Sequence, residues 1–187
     1  MTESSDSGRQ VVWLATITYT ALAAIGSTWL WWRGRLLDDA GWWFGDAGPL
    51  RSTLEGLLIG LSITAVFRLI EPLPVFSRLQ AALAELLGPM TRWQCLHLAV
   101  MSGLAEELSF RFALQDVVGV WIAVTIFAAL HIGPGVLLLW MPVAFAVGLL
   151  FAVLVERRHG LPAVAVAHAV TNYLSLRRMQ IRWPQPR

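Results

Sequence analysis

The sequence predicts an all-α integral membrane protein: a bundle of about six transmembrane helices with one short amphipathic helix at the membrane surface. Hydrophobic residues make up 57% of the 187 residues and charged residues only 14%, against about 25% charged in a typical soluble protein. The charges lie mainly between the apolar blocks. A few polar side chains nevertheless recur at helical spacing inside these blocks, and such residues are expensive to bury in a membrane. They are therefore the candidates for a functional site.

The positive charge comes entirely from arginine, because none of the 14 basic residues is lysine. The arginines flank apolar blocks, which suits contact with lipid headgroups. We therefore expect the lipid bilayer as a partner, and no nucleic acid. The single cysteine, Cys95, excludes an intramolecular disulfide. We expect it to be a buried, unreactive thiol, since His97 two residues later does not share its helix face.

The N-terminal part is predicted to precede the core of the protein. Residues 1–10 are polar and predicted to be disordered. The apolar run 11–32 is long enough to cross a hydrocarbon core of about 30 Å. Its tryptophan-rich end favours a retained span over a cleaved leader. A loop rich in Gly, Asp and Trp follows at 33–52, so residues 11–52 are an extra transmembrane helix with its loop.

Five further spans are predicted from apolar runs that are bounded by proline, glycine or charged residues: 54–74, 93–118, 118–132, 136–155 and 161–176. Residues 77–88 are predicted to form an amphipathic helix at the interface. Arg68 and Glu71, one helical turn apart, are expected to pair with each other or to extend to the membrane surface, and not to be catalytic. The core of the protein is thus expected over 53–178, followed by a basic tail over 179–187.

Two adjacent glutamates lie in the third span. Glu107 and Arg111 are four residues apart, so their side chains meet on one face of a helix. A paired arginine lowers the cost of a buried carboxylate. Glu106 points about 100° away and is free to face a cavity. The alternative interpretation is a purely structural salt bridge.

The fourth and last spans carry further polar residues. His131 follows a short apolar run and could reach a neighbouring carboxylate, although a histidine at a helix end is usually an interfacial residue. His168 and Asn172 are four residues apart and share one face of the last span. They offer an imidazole N–H and an amide N–H₂, which are donors that an oxyanion hole requires.

Three segments together resemble the signature motifs of a known family: 106–111 (EELSFR), 127–131 (FAALH) and 168–172 (HAVTN). They are similar to those of the CPBP family, the CAAX prenyl protease and bacteriocin-processing intramembrane endopeptidases, also called the Abi family. The motifs span residues 106–172, and the family core would cover about 50–176. The first span and the tryptophan-rich loop fall outside the resemblance.

The resemblance implies an all-helical intramembrane endopeptidase of the glutamic type, without a cofactor. Glu106 and His131 would activate water, and His168 and Asn172 would stabilise the tetrahedral oxyanion. The Glu107–Arg111 pair would hold the site together. The expected substrate is a membrane-anchored protein or peptide, and the expected location is a cell membrane, the bacterial inner membrane, crossed several times. The sequence predicts no substrate-binding residues.

Three alternatives stay open at the level of sequence. A zinc-dependent protease could use Glu106, His131 and His168 as ligands, although a His-Glu-x-x-His motif is lacking. A proton-coupled transporter also uses buried Glu, His and Arg, although we find no inverted repeat. A non-enzymatic immunity or scaffold protein is the third alternative.

Overall fold

The computed structural model describes residues 3–38 and 40–184 of the chain. These residues are mostly helical and include no strand. Gly45 and His159 form a single antiparallel backbone bridge. The predicted all-α class is therefore confirmed.

The helices are, in chain order, α1 (Glu3–Trp32), α2 (Ala40–Phe44), α3 (Gly48–Ile70), α4 (Pro74–Leu87), α5 (Arg92–Glu106), α6 (Gln115–Ala129), α7 (Trp140–Glu156) and α8 (Leu161–Arg182). A π-helical segment, Glu107–Leu114, joins α5 to α6. Short 3₁₀ turns precede α2 and α7, at Arg35–Leu37 and Gly135–Leu139. The predicted amphipathic helix corresponds to α4.

Within the described residues, four stretches are long and apolar enough to cross a membrane: Gly8–Trp32, Gly48–Ile70, Arg92–Ala129 and Gly135–Glu156. The third contains the predicted spans 93–118 and 118–132, which the non-helical Gly119 (φ 78°, ψ 170°) separates. The predicted last span, 161–176, lies in α8. This helix is not among the four because its polar residues and arginines lower its mean hydropathy. The membrane character is confirmed, and the number of about six spans stays a prediction.

The chain start differs from the prediction. Helix α1 begins at Glu3 and so includes most of the segment 1–10 that was expected to be disordered. Extension of a formed helix adds one hydrogen bond for each residue that is fixed. Gly8 also lies directly against the Pro89 carbonyl, so this part of α1 has a packing partner. The prediction for residues 1 and 2 lies outside the described residues.

The C-terminal end of the chain is also more helical than predicted. Helix α8 continues to Arg182, inside the predicted basic tail 179–187. Arg178 Nε and Arg182 Nη1 lie 3.1 and 2.7 Å from Glu71 Oε1, and these ion pairs hold the last turn of α8. Burial favours a raised pKa of the Glu71 carboxyl, but the two arginines outweigh it and hold this pKa below its usual range. Residues 185–187 lie outside the description.

Small residues bring α3 and α8 into close contact. Ser52, Gly56 and Gly60 recur every four residues along α3. A Cβ atom at Gly60 would lie 2.7 Å from the Ala167 carbonyl oxygen, and Ser52 Oγ accepts a hydrogen bond of 3.2 Å from the Ala163 amide. Such spacing of small residues is typical of close helix packing in membranes. The α3 contact therefore fixes α8 along its length.

Helix α5 approaches another face of α8 equally closely. A Cβ atom at Gly103 would lie 2.8 Å from the Ala165 carbonyl oxygen. Because Gly103 is less than one turn before Glu106, this approach brings the glutamates of α5 next to His168. The packing of α8 between α3 and α5 thus assembles the polar site.

Candidate active site

The two glutamates lie where the α-helical geometry of the chain changes. Glu106 is the last residue of α5, and Glu107 is the first residue of the π-helical segment. Both side chains are buried. π-helical turns are rare and are frequently found at functional sites. The backbone itself therefore marks this position as unusual.

Glu107 belongs to a closed polar cluster. Its Oε2 lies 3.3 Å from Arg111 Nε, and its Oε1 lies 2.7 Å from His168 Nδ1. The Arg111 guanidinium is fully buried and lies 4.6 Å from the centre of the Phe127 ring. A carboxylate beside an arginine accepts hydrogen bonds, so His168 Nδ1 is the donor in this contact. The predicted ion pair is present, and it also fixes the orientation of the His168 ring.

Glu106 faces a different set of groups. Its Oε2 lies 3.8 Å from His168 Nε2 and 4.0 Å from His131 Nε2. This oxygen is buried and has no hydrogen-bond partner among the described residues. Both separations are too long for direct hydrogen bonds. They are compatible with a water molecule that contacts the carboxylate and an imidazole together.

The tautomer of the neutral His131 ring follows from its contact with the backbone. Its Nδ1 lies 2.7 Å from the Phe127 backbone oxygen. A carbonyl oxygen only accepts hydrogen bonds, so Nδ1 carries the proton. In the neutral ring, Nε2 then presents a lone pair to Glu106. Two proton acceptors, the carboxylate and this nitrogen, therefore face the same small volume.

Asn172 lies one turn after His168 and is held by a residue that the sequence analysis missed. Its Nδ2 donates a hydrogen bond of 2.9 Å to Ser102 Oγ, which donates one of 3.2 Å to the Ala99 carbonyl oxygen. The amide group has a second hydrogen that is available to a ligand. Ser102 precedes Glu106 by four residues. That spacing places both on one helix face and could have identified it.

These groups meet in a cavity of about 240 Å³. Its polar lining includes Ser102, Glu106, His131, His168, Asn172 and, from α1, Tyr19. Apolar side chains of α4, α7 and α8 form most of the remaining wall. All four residues predicted to be catalytic therefore line one cavity, while Glu107 lies behind them. Tyr19 was not predicted, because α1 carries no part of the three motifs.

The zinc alternative requires a set of ligands that point at one ion. Within residues 3–38 and 40–184, no three His, Cys, Asp or Glu side chains form a group that could hold a metal. The residues named for this alternative, Glu106, His131 and His168, are close to each other but do not make such a group.

One protein family matches the part of this helical chain that carries the buried carboxylate and both imidazoles. Residues 88–174 match the family model described as type II CAAX prenyl endopeptidase, Rce1-like. This match covers just under half of the chain, and it supports the resemblance to the CPBP family seen in the motifs. No curated protein and no solved structure matches the chain. The match includes all three motifs, whereas helices α1 to α4 lie outside it.

Proposed function

We propose that this intramembrane endopeptidase is of the glutamic type and uses Glu106 and His131 to activate water. One observation carries the proposal. The buried, unpartnered Glu106 Oε2 faces the Nε2 atoms of His131 and His168 at 4.0 and 3.8 Å inside a cavity. A carboxylate in such a position is a suitable general base, because a water molecule between these atoms lies within reach of it.

In the proposed reaction, the water oxygen attacks the carbonyl carbon of the scissile peptide bond. One water proton passes to Glu106, with His131 Nε2 as a second acceptor for it. The carbonyl π bond breaks, and its electron pair forms the oxyanion of a tetrahedral intermediate. When this intermediate collapses, the carbon–nitrogen bond breaks and the leaving amine takes the proton from Glu106. Base and acid are thus the same group at successive steps.

The oxyanion would be stabilised by His168 and Asn172. Because His168 Nδ1 donates to Glu107, a donor at Nε2 requires the doubly protonated ring. The Glu107 carboxylate compensates the charge of that imidazolium, and Arg111 is the second charged partner of this carboxylate. The free amide hydrogen of Asn172 supplies the second donor. This arrangement gives the buried ion pair a role in the reaction without contact with the substrate.

The substrate class follows from the surroundings of the site. Most of the cavity wall is apolar, and the protein lies in a membrane. We propose a membrane-anchored protein or peptide as substrate, cleaved by a multi-pass protein of the bacterial inner membrane. The family description refers to prenyl substrates, so a prenylated and an unmodified form of one peptide are the first pair of substrates to compare.

The test uses the full chain in lipid vesicles with a fluorogenic peptide that ends in a farnesylated cysteine motif, and with its unmodified counterpart. We expect Glu106→Gln to abolish cleavage and the same change at the exposed Glu85 to have no effect. A fully active Glu106→Gln variant would exclude this mechanism. Loss of activity on addition of a chelator, restored by zinc, would favour the zinc alternative. An inactive wild-type protein against both peptides and against membrane proteome substrates would favour the transporter or scaffold alternatives.

A further inference from the structure

Helix α1 packs along the segment that carries the two glutamates, although it precedes the family match. Thr16 Oγ1 lies 2.8 Å from His97 Nε2. Ser109 Oγ, in the π-helical segment, donates a hydrogen bond of 2.9 Å to the Leu22 carbonyl oxygen. A Cβ atom at Gly26 would lie 2.6 Å from the same Ser109 oxygen, so only glycine permits this approach. These contacts fix the register of α1.

Tyr19 lies between these anchor points, three residues after Thr16 and three before Leu22. This spacing places all three on one face of α1. Tyr19 is half-buried and lines the cavity. Its hydroxyl is within interaction range of the Glu106 carboxyl. The register of α1 therefore places the Tyr19 side chain in the same cavity as the proposed base.

A glutamate side chain with an unpartnered oxygen atom has several rotamers available. A base must be held within a fraction of an ångström of its working geometry. The Glu106 atom that faces both imidazoles has no hydrogen-bond partner of its own among the described residues. Tyr19 lines the same cavity as this carboxyl group. A phenol is a donor that stays protonated at neutral pH, so it can hold a carboxylate without competing for the reaction's proton.

We propose that Tyr19 is a positioning residue that holds the Glu106 carboxylate toward His131 and His168. The inference rests on the function proposed above for Glu106. It makes α1 a working part of the active site, although α1 lies outside residues 88–174 that define the family match. The competing explanation is that the Tyr19 ring only fills the wall of the cavity. The two explanations differ in whether the ring or its hydroxyl matters.

The decisive variant is Tyr19→Phe, which removes the hydroxyl and keeps the ring. In vesicles with the fluorogenic peptide, we expect kcat to fall about 10- to 100-fold, the range typical of an outer-shell partner. KM should stay within about threefold, and the thermal unfolding temperature should not change. Tyr173→Phe is the matched control, since Tyr173 packs in a hydrophobic cluster with Met90 and Cys95. This control should keep the activity of the wild type.

Each outcome decides between the explanations. A kcat within threefold of the wild type overturns the inference, because the ring alone then suffices. A change confined to KM, or a matching loss of thermal stability, also overturns it. An equal loss in Tyr173→Phe shows a general effect of removing a hydroxyl and overturns it as well. The proposed function fails separately, only if Glu106→Gln is active. An inactive Glu106→Gln beside a fully active Tyr19→Phe rejects the role of Tyr19 alone.

Discussion

Glu106 and Glu107 are neighbours in sequence, yet the structure gives them opposite surroundings. The Glu107 carboxylate binds Arg111 and His168 and is fully enclosed. The Glu106 carboxylate borders a cavity, and its nearest imidazole nitrogens are 3.8 and 4.0 Å away. Both are carboxylates in the same membrane-spanning stretch. The direction in which each side chain leaves the helix accounts for the difference.

The contrast shows how one helix can supply both a support and a reactive group. A carboxylate whose oxygen atoms contact an arginine and a histidine is held in place, and the enclosed Glu107 does not line the cavity. A buried carboxylate with an unoccupied oxygen is costly, and such a cost is typical of functional sites. Glu107 therefore stabilises the fold and orients His168, while Glu106 remains free to react. This division predicts that substitutions on the two sides affect different measured quantities.

The largest effect on folding is expected from substitution of Glu107. Glu107→Gln leaves the buried Arg111 guanidinium without its counter-charge, so the free energy of unfolding should fall by about 3–5 kcal/mol. Glu106→Gln should lower the free energy of unfolding much less, because the Glu106 carboxylate has no arginine partner and lies 3.8 and 4.0 Å from the two imidazoles. Denaturation of both variants in detergent, followed by tryptophan fluorescence, measures the difference.

A double variant sharpens this first prediction. Glu107→Gln combined with Arg111→Met removes both charges, and it should recover part of the stability that Glu107→Gln loses. Equal stability of the single and double variants would mean that the ion pair is not what holds this cluster. Equal destabilisation by Glu106→Gln and Glu107→Gln would remove the contrast between the two glutamates.

The next largest effect is expected on the turnover of variants whose substituted residue lines the cavity. Asn172→Ala removes a proposed oxyanion donor, so kcat should fall about 10²–10³-fold with little change of KM. Ser102→Ala should lower kcat only about fivefold, because it removes the hydrogen bond that orients Asn172 and leaves the amide in place. Initial rates over a range of peptide concentrations separate kcat from KM. A larger effect of Ser102→Ala than of Asn172→Ala would reverse the assigned roles.

Much of the fold could be predicted because the signals are local. The glycine at 119 and the prolines and glycines at 72–74 and 133–135 interrupt apolar runs, and the helices end close to them. The extension of α8 to Arg182 could not be predicted in this way. It depends on ion pairs with Glu71, which lies more than 100 residues earlier.

The same distinction applies to the candidate site. The i,i+4 spacing predicted the contact of Glu107 with Arg111, and the placement of His168 and Asn172 on one face. The approach of Tyr19 depends on which helices are neighbours, and no local pattern in α1 contains that information. His131 also donates a hydrogen bond to the Phe127 carbonyl, and this bond sets the tautomer of the neutral ring. Only the structure reveals this bond. The roles of these residues in cleavage stay predictions.

A smaller effect tests how tightly the Glu107 side is enclosed. A Cβ atom at Gly148 would lie 2.9 Å from Phe127 Cδ1 and 3.0 Å from Arg111 Nη2. Gly148→Ala should therefore displace these side chains and lower the free energy of unfolding by about 1–3 kcal/mol. Leu150→Ala, at an exposed position of the same helix, is the control and should cost less. A Gly148→Ala variant as stable as the wild type would show that the cluster is loosely packed.

The smallest effect on stability is expected for Glu71, a buried carboxylate that lies just outside the membrane-spanning stretches. Glu71 is buried and pairs with Arg68, as the sequence predicted, at 3.6 Å, and with Arg178 and Arg182. Burial alone would raise the Glu71 pKa, but Arg178 and Arg182 hold this pKa below its usual range. Its contribution is therefore present above the pKa of the unfolded chain and is lost as the pH falls through the lower pKa of the folded protein.

Glu71→Gln should accordingly lower the unfolding free energy by about 1–2 kcal/mol at pH 7, since charged hydrogen bonds are worth about this much. The difference from the wild type should shrink as the pH falls below about 4.3, where glutamates of the unfolded chain become protonated. Thermal unfolding in detergent between pH 7 and pH 3.5 measures it, with the exposed Glu85→Gln as a control that shows no difference at any pH. A difference that grows toward acid pH contradicts the prediction, because Glu71 would then be stabilised in its protonated form. The pH dependence would in that case oppose the direction that Arg178 and Arg182 impose on the Glu71 pKa.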